Sequence, residues 1–252
     1  MIKNKKIFIL ILILISCGTS SFSQVPGLSI EINPTEPTNL TPTLVILLAL
    51  TVLSVAPSLL MMLTSFTRIT IVFGFLRQAL GTRQSPPNQV LVALALFLTI
   101  MIMFPVFNSV YNDAIVPYND NKIGYEEAID ITWGNFKDFM LREIVSHKNQ
   151  DNIFMLASSM KYEIKSIEDT PFQILVPAFA LSEIEIAFKM GILIYIPFII
   201  VDMVVASILL SMGMMMIPPV LISLPFKVLL FVLINGWDLL IGSLVRSFAG
   251  GA

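Results

Sequence analysis

Two long stretches without a charged residue constrain this chain more than any other feature. Residues 37–67 carry no charge, and neither do residues 84–112. Each stretch exceeds the ~20 residues that a helix needs to cross the ~30 Å hydrocarbon core of a bilayer. Only 13% of the 252 residues are charged and 56% are hydrophobic, whereas soluble domains carry about 25% charged residues. The sequence therefore favours a membrane protein over an ordinary soluble enzyme.

Two further apolar blocks follow a polar stretch, and together they predict the domain organisation. We expect an all-α, polytopic membrane-type protein in which two proline-broken helical hairpins, residues 42–110 and 183–252, flank a small helical extracytoplasmic insert, residues 111–182. Within the insert, residues 125–140 and 151–160 have the spacing of amphipathic helices. Prolines fall in all four blocks and predict kinked or broken helices packed on other protein. These prolines are Pro57, Pro105, Pro197, Pro218, Pro219 and Pro225.

The N-terminus has the organisation of a secretory signal peptide. Three lysines precede a short apolar run, and small and polar residues follow it. We expect residues 1–23 to be cleaved and residues 24–41 to form an extended extracytoplasmic tail. Two alternatives are lipidation at Cys17 and an uncleaved anchor. A leader of this kind places the mature N-terminus outside the cytoplasm.

Charge asymmetry gives the same orientation. The connection between the first two apolar blocks contains Arg68, Arg77 and Arg83 and no acid, whereas the insert contains eleven acids and six bases. Basic loops remain cytoplasmic. The three arginines are therefore predicted on the cytoplasmic side, and the insert outside it.

Catalytic and metal-binding patterns are missing from the sequence. It contains one Cys, one His, and none of the Gly-rich phosphate loops or paired catalytic motifs of enzymes. The net charge of −2 does not suit nucleic-acid binding. We predict no enzymatic activity, no catalytic residue, no metal, no cofactor and no nucleic-acid partner.

Charges inside the last two apolar blocks are the strongest site candidates, because ionisable groups at membrane depth are costly and usually paired or functional. If residues 213–219 form the turn of a hairpin, Asp202 lies level with Lys227, and Glu185 with Arg246. Such pairs fix hairpin register or bind a neighbouring subunit, or alternatively relay protons. The predicted assembly charges are Glu183, Glu185, Asp202, Lys227, Asp238 and Arg246.

A methionine-rich turn precedes two consecutive prolines. Met212, Met214, Met215 and Met216 fall within five residues, and Pro218-Pro219 stops the helix. Methionine is unbranched and adaptable, so a ring of such side chains could close a pore around variable cargo. Simple filling of an irregular turn is the alternative.

Many segments, in the right order over residues 40–248, resemble the FliP family of flagellar type III export-gate proteins and their virulence-secretion relatives. They include residues 61–68, 76–82, 86–90, 139–142, 177–183, 197–198, 202–207, 212–219, 222–227, 236–237 and 242–244. The chain departs from the family pattern at Glu185, at Arg83, and at Asn235 to Asp238, where the acid is displaced by three residues.

The resemblance implies a pore-forming subunit of the flagellar protein export gate. It implies a homo-oligomer with FliQ- and FliR-like subunits, FlhA- and FlhB-like partners, unfolded protein cargo, and a place in the inner membrane and the flagellar basal body. In that family the methionine turn forms a gasket around the pore, here Met214, Met215 and Met216. Alternatives are a virulence-system subunit, a small-solute or ion transporter, and a structural scaffold without a pore.

Overall fold

The computed structural model describes residues 40–82, 85–164, 166–214 and 216–249. The predicted leader, nearly all of the predicted tail, Cys17, Arg83 and Met215 lie outside these residues. The chain comprises two units, residues 1–51 and 52–252. Among the described residues, the first unit contains only the beginning of the first helix. All the other described helices belong to the second unit.

Helices make up all the regular structure of the described residues, which contain no strand, so the all-α prediction is confirmed. A π-helical turn spans Tyr111–Ile115, and a 3₁₀ turn spans Ile167–Asp169. The helices are α1 Leu40–Met62, α2 Phe66–Ala79, α3 Asn88–Val110, α4 Val116–Asn119, α5 Tyr125–Ser146, α6 Asp151–Ser159, α7 Phe172–Ser211, α8 Pro219–Leu233 and α9 Gly236–Phe248.

Among the residues that the structure describes, two helical segments are long and apolar enough to cross a membrane. One is Asn88–Asn119, which includes α3 and α4, and the other is α7. The pair α8 and α9 forms a third candidate span, bent by 63°. The membrane-type fold class is therefore confirmed on length and composition.

The segment expected to connect the first two blocks is a core helix. In α2 the side chains of Ile69, Val72, Phe73, Leu76 and Ala79 form one buried face, and this helix makes its most extensive contact with α7. A Cβ atom at Gly191 of α7 would overlap the ring of Phe75, so the backbone of α7 passes directly under that ring. The connection is helical because its apolar residues recur at three- and four-residue spacing.

Pro218 and Pro219 stand where the sequence predicted a break, between α7 and α8, but three other prolines lie within continuous helices. α1 runs through Pro57, α3 through Pro105, and α7 through Pro197. A long helix tolerates the loss of one backbone hydrogen bond when neighbouring groups replace it. The chain leaves helical geometry instead at residues 63–65, in the methionine turn, and at Asn235, whose φ of +51° is left-handed.

The polar insert packs onto the N-terminal part of α7. The two helices expected at residues 125–140 and 151–160 are present as α5 and α6. Phe139 of α5 makes an edge-on contact with Phe179 of α7, at 5.8 Å between ring centroids. Because α7 already begins at Phe172, the insert and the long helix share the core of this unit.

Candidate functional site

A buried ion cluster occupies the point where four helices meet. Arg68, in the first turn of α2, is fully buried. Its Nε and Nη2 atoms donate to the two carboxylate oxygens of Glu183 on α7, at 2.8 and 2.5 Å. Nη2 also donates to Glu143 of α5 at 3.1 Å. A two-point contact between guanidinium and carboxylate is among the strongest side-chain hydrogen bonds in proteins.

The end of α9 completes the cluster. Nη1 of Arg68 donates to the Oγ atom of Ser247 at 2.9 Å. The guanidinium carbon lies 3.7 Å from the ring centroid of Phe248, a cation–π contact. Every polar face of Arg68 is therefore engaged, and the residue ties together α2, α5, α7 and α9.

The cluster holds two carboxylates and one guanidinium, so its charges do not cancel. Burial, reinforced by the charge of Glu183 and opposed by Arg68, raises the pKa of Glu143 to about 7. His147 lies beside it, with Nδ1 at 4.0 Å from Oε2 of Glu143. Burial is also the main reason that the pKa of His147 is lowered.

Arg68 and the insert were predicted on opposite sides of the membrane, and these two placements do not hold together. The residue is buried and bonded to Glu143, which belongs to the insert expected on the opposite side. Arg68 continues the apolar face of α2, since residues 68, 72 and 76 are spaced by four. That spacing could have revealed its burial. Arg77 is half-buried further along α2, and the sidedness of Arg77 and Arg83 stays a prediction.

A second ionic contact joins α7 to α8 near the methionine turn. Nζ of Lys227 donates to Oδ2 of Asp202 at 2.6 Å, and Oγ of Ser223 donates to Oδ1 at 2.5 Å. Lys227 is buried and Asp202 half-buried. The two residues that hairpin register placed level are thus in direct contact, and Ser223, which the sequence reasoning did not select, completes the contact.

The other expected pair is not formed. Oε1 of Glu185 accepts from Nζ of Lys189, one turn along α7, at 2.8 Å. Pairing at i,i+4 is the simpler option for two exposed side chains on one helix. Within the described residues Arg246 makes no ion pair, and Asp238 is an exposed acid in the first turn of α9.

The methionine turn is held by a helix-ending motif. Gly213 has φ of +74°, its N–H donates to Leu210 O, and the N–H of Met214 donates to Leu209 O. This is the Schellman pattern, which requires a left-handed residue at the glycine position. Met216 is 97% exposed and Met212 64% exposed, while Met214 is half-buried. Exposed methionines at a helix-hairpin tip form an adaptable apolar surface.

No cluster of His, Cys, Asp and Glu suited to a metal occurs in the part of the chain that the structure describes. The fold and these sites define the class: an all-helical membrane protein whose helices are joined by buried ionic contacts and which presents a methionine-rich turn.

The family model described as "FliP family" matches residues 49–244. The flagellar biosynthetic protein FliP of Bacillus subtilis is 50% identical over 84% of this chain and 95% of its own length. The protein of the same name from Aquifex aeolicus is 46% identical over 94% of this chain and 97% of its own. The chain belongs to the FliP family. This is not a family of enzymes, and the expectation of no enzymatic activity is confirmed by family membership.

Proposed function

We propose that this chain is a pore-forming subunit of the flagellar protein export gate, which conducts unfolded flagellar proteins across the inner membrane. The names of its relatives support a role in building the flagellum. The observation that carries the pore assignment is the methionine turn, where Met212 and Met216 are exposed at a glycine-capped helix end.

A channel for unfolded chains must seal when idle and widen around cargo. Met side chains have three rotatable bonds and a polarizable sulfur, so several copies can interdigitate when the pore is empty and splay when it is occupied. An apolar constriction also excludes ions by dewetting, without a charged gate. In this proposal, Met212, Met214, Met215 and Met216 form the gasket.

The exposed apolar helices support the proposal of a larger assembly. Large side chains on α3 and α7, such as Phe97 and Leu193, are exposed in the single chain, and they require lipid or protein neighbours. The proposed neighbours are further copies of this chain, FliQ- and FliR-like subunits, and FlhA- and FlhB-like gate proteins. The proposed location is the flagellar basal body in the inner membrane, after cleavage of the leader.

Substitution within the turn tests the gasket. Changing Met214, Met215 and Met216 together to Gly is expected to leave assembly intact, as judged by pull-down, and to let resting cells leak ions and small solutes. Leu at all three positions is expected to seal better than Ala and to export more slowly than Met. Tight membranes in a fully assembled triple-Gly variant would refute the gasket role.

A matched pair of single variants separates the turn from exposed methionine in general. Met203 on α7 is 65% exposed and Met212 is 64% exposed. Met212→Ala is expected to raise resting conductance, whereas Met203→Ala is expected to leave it unchanged. Equal conductance in the two variants would remove the special role of the turn.

A small-solute transporter is the alternative function, and Asp202 is the feature that would favour it. Both carboxylate oxygens of Asp202 already accept hydrogen bonds, from Lys227 and Ser223. Such saturation suits a structural contact better than a transport site. Solute uptake by vesicles containing this chain alone would favour the transporter instead.

A further inference from the structure

A cavity lined by three basic side chains lies between α7, α9 and the end of α5. Lys189 of α7, Arg246 of α9 and His147 line it, and its volume is ≈ 410 Å³. Its other walls are mostly apolar and include Ile186, Met190 and Leu193. The space is therefore cationic at its polar parts and apolar elsewhere.

The two charged side chains that line this cavity, Lys189 and Arg246, are both cations. Lys189 pairs with Glu185, which lies one turn away and does not line the cavity. Arg246 is exposed and forms no ion pair among the described residues. Beneath the cavity, Arg68 and Glu143 belong to the buried cluster, and Ser247 links the two regions. Of the two cations that line the cavity, Lys189 has an acidic partner and Arg246 has none among the described residues.

An apolar groove continues from this cavity. Met190, Leu193 and Ser243 line both spaces. The groove has a volume of ≈ 230 Å³ and runs between α7 and α9 past Pro197, Phe198 and Leu240. A cationic cavity that opens into an apolar groove matches a ligand with an anionic head and a hydrocarbon tail.

The position along α7 fits such a ligand. Asp202 is the only charged residue from 190 to 211, a segment of about 33 Å at 1.5 Å per residue. That length matches the ~30 Å hydrocarbon core of a bilayer, so Lys189 marks one boundary of the core. Phospholipid phosphates lie at this boundary, and basic pockets between membrane helices bind anionic head groups.

We propose that this cavity and groove form a binding site for an anionic phospholipid, with Lys189 and Arg246 at the phosphate and the α7–α9 groove around one acyl chain. The ring of His147 lines the same cavity. The site is separate from the methionine turn, and it holds whether or not the chain forms an export pore.

Lipid occupancy of the full chain tests the head-group half of the site. The chain is purified in detergent micelles doped with phosphatidylglycerol or phosphatidylcholine of identical acyl chains, and bound lipids are counted by native mass spectrometry. The wild type is expected to prefer phosphatidylglycerol. Each surface cation contributes about five-fold to binding of an anionic lipid, so the double variant K189Q/R246Q is expected to lower that preference about 30-fold.

Two cations elsewhere provide matched controls. Lys122 is an exposed lysine in an exposed ion pair with Asp120, as Lys189 is with Glu185, and Arg142 is an exposed arginine. The variant K122Q/R142Q is expected to keep the wild-type preference. Unchanged preference in K189Q/R246Q, or an equal loss in the control, would overturn the proposal.

Two further arms separate a lipid from a free anion. Inorganic phosphate at millimolar concentration is expected not to displace phosphatidylglycerol, and displacement would assign the site to a soluble anion. Leu193→Gln, in the groove, is expected to weaken binding of both lipids, whereas Leu233→Gln, equally exposed outside the groove, is expected to have no effect. Equal lipid binding in these two variants would show that the groove does not hold an acyl chain, and this result would overturn the proposal.

Discussion

Glu143 and Glu183 both contact Arg68, yet neutralising them is expected to have different consequences. Glu183 holds Arg68 through two hydrogen bonds, whereas Glu143 holds it through one of 3.1 Å. The pKa of Glu143 is raised to about 7 from a reference of 4.5, chiefly by burial. Burial therefore opposes ionisation of Glu143, and Glu183 is the carboxylate that makes the two-point contact with Arg68.

The difference between the pKa of Glu143 in the folded chain and its reference value sets the size and sign of the effect of pH on stability. About 2.5 pKa units correspond to about 3 kcal/mol. Below pH 4.5 Glu143 is protonated in both the folded and the unfolded chain. Between pH 4.5 and 7 the folded chain retains a proton that the unfolded chain has lost, so the free energy of unfolding falls as pH rises. Above pH 7 it levels off.

Glu143→Gln mimics the protonated side chain and cannot titrate. We expect this variant to lose most of the ~3 kcal/mol decrease in stability between pH 5 and pH 8. Glu183→Gln breaks the two-point contact and is expected to cost about 3–5 kcal/mol at pH 8, because it leaves Arg68 under-compensated in a buried site.

Unfolding of the full chain by titration with sodium dodecyl sulfate, followed by circular dichroism at both pH values, measures these differences. Asp138→Asn removes an exposed carboxylate from the same helix and is the control, expected to follow the wild type. If Glu143→Gln kept the full pH dependence of the wild type, burial of this carboxylate would not be its source.

Three further predictions address pairing, packing and sidedness. Asp202→Asn is expected to lower the yield of the assembled complex in pull-downs, because it leaves Lys227 buried and unpaired; exchanging the two charges should recover part of it. Gly191→Ala is expected to lower the thermal midpoint, since the added methyl group would overlap the ring above it. A cysteine at Asn121 is expected to react with an impermeant thiol reagent supplied from the periplasm, and one at Thr82 is not.

Each of these has a result that would contradict it. Full assembly of the Asp202 variant would show that the ion pair contributes little. An unchanged midpoint in the Gly191 variant would mean that Phe75 moves aside freely. Labelling at Thr82 alone would invert the predicted orientation of the insert.

The spacing of residues along the sequence was sufficient to predict part of the fold. The spacing of apolar residues predicted α5 and α6, and hairpin geometry placed Asp202 level with Lys227, because both rest on the regular rise of a helix. Glu185 was assigned across the hairpin only because the nearer Lys189 was not considered, although i,i+4 pairing is a local rule.

The Arg68 cluster was beyond such reasoning. Its bonds to Glu143 and Glu183 span 75 and 115 residues, and helix periodicity carries no information on which helices become neighbours. Membrane topology rules carry no such information either, because they count the arginines of a connection without regard to their partners. Only the continuity of position 68 with the buried face of α2 pointed to the interior.

The bend between α8 and α9 sets how far this pair reaches along one direction. At 1.5 Å per residue, the 15 residues of α8 measure about 22 Å and the 13 residues of α9 about 20 Å. Neither helix alone reaches across a hydrocarbon layer of ~30 Å. When both helices tilt equally, by about half of the 63° bend, the pair reaches about 36 Å along their common axis. A straight helix of the same length would reach about 42 Å, so the bend shortens this apolar segment toward the thickness of the hydrocarbon core and reduces its hydrophobic mismatch.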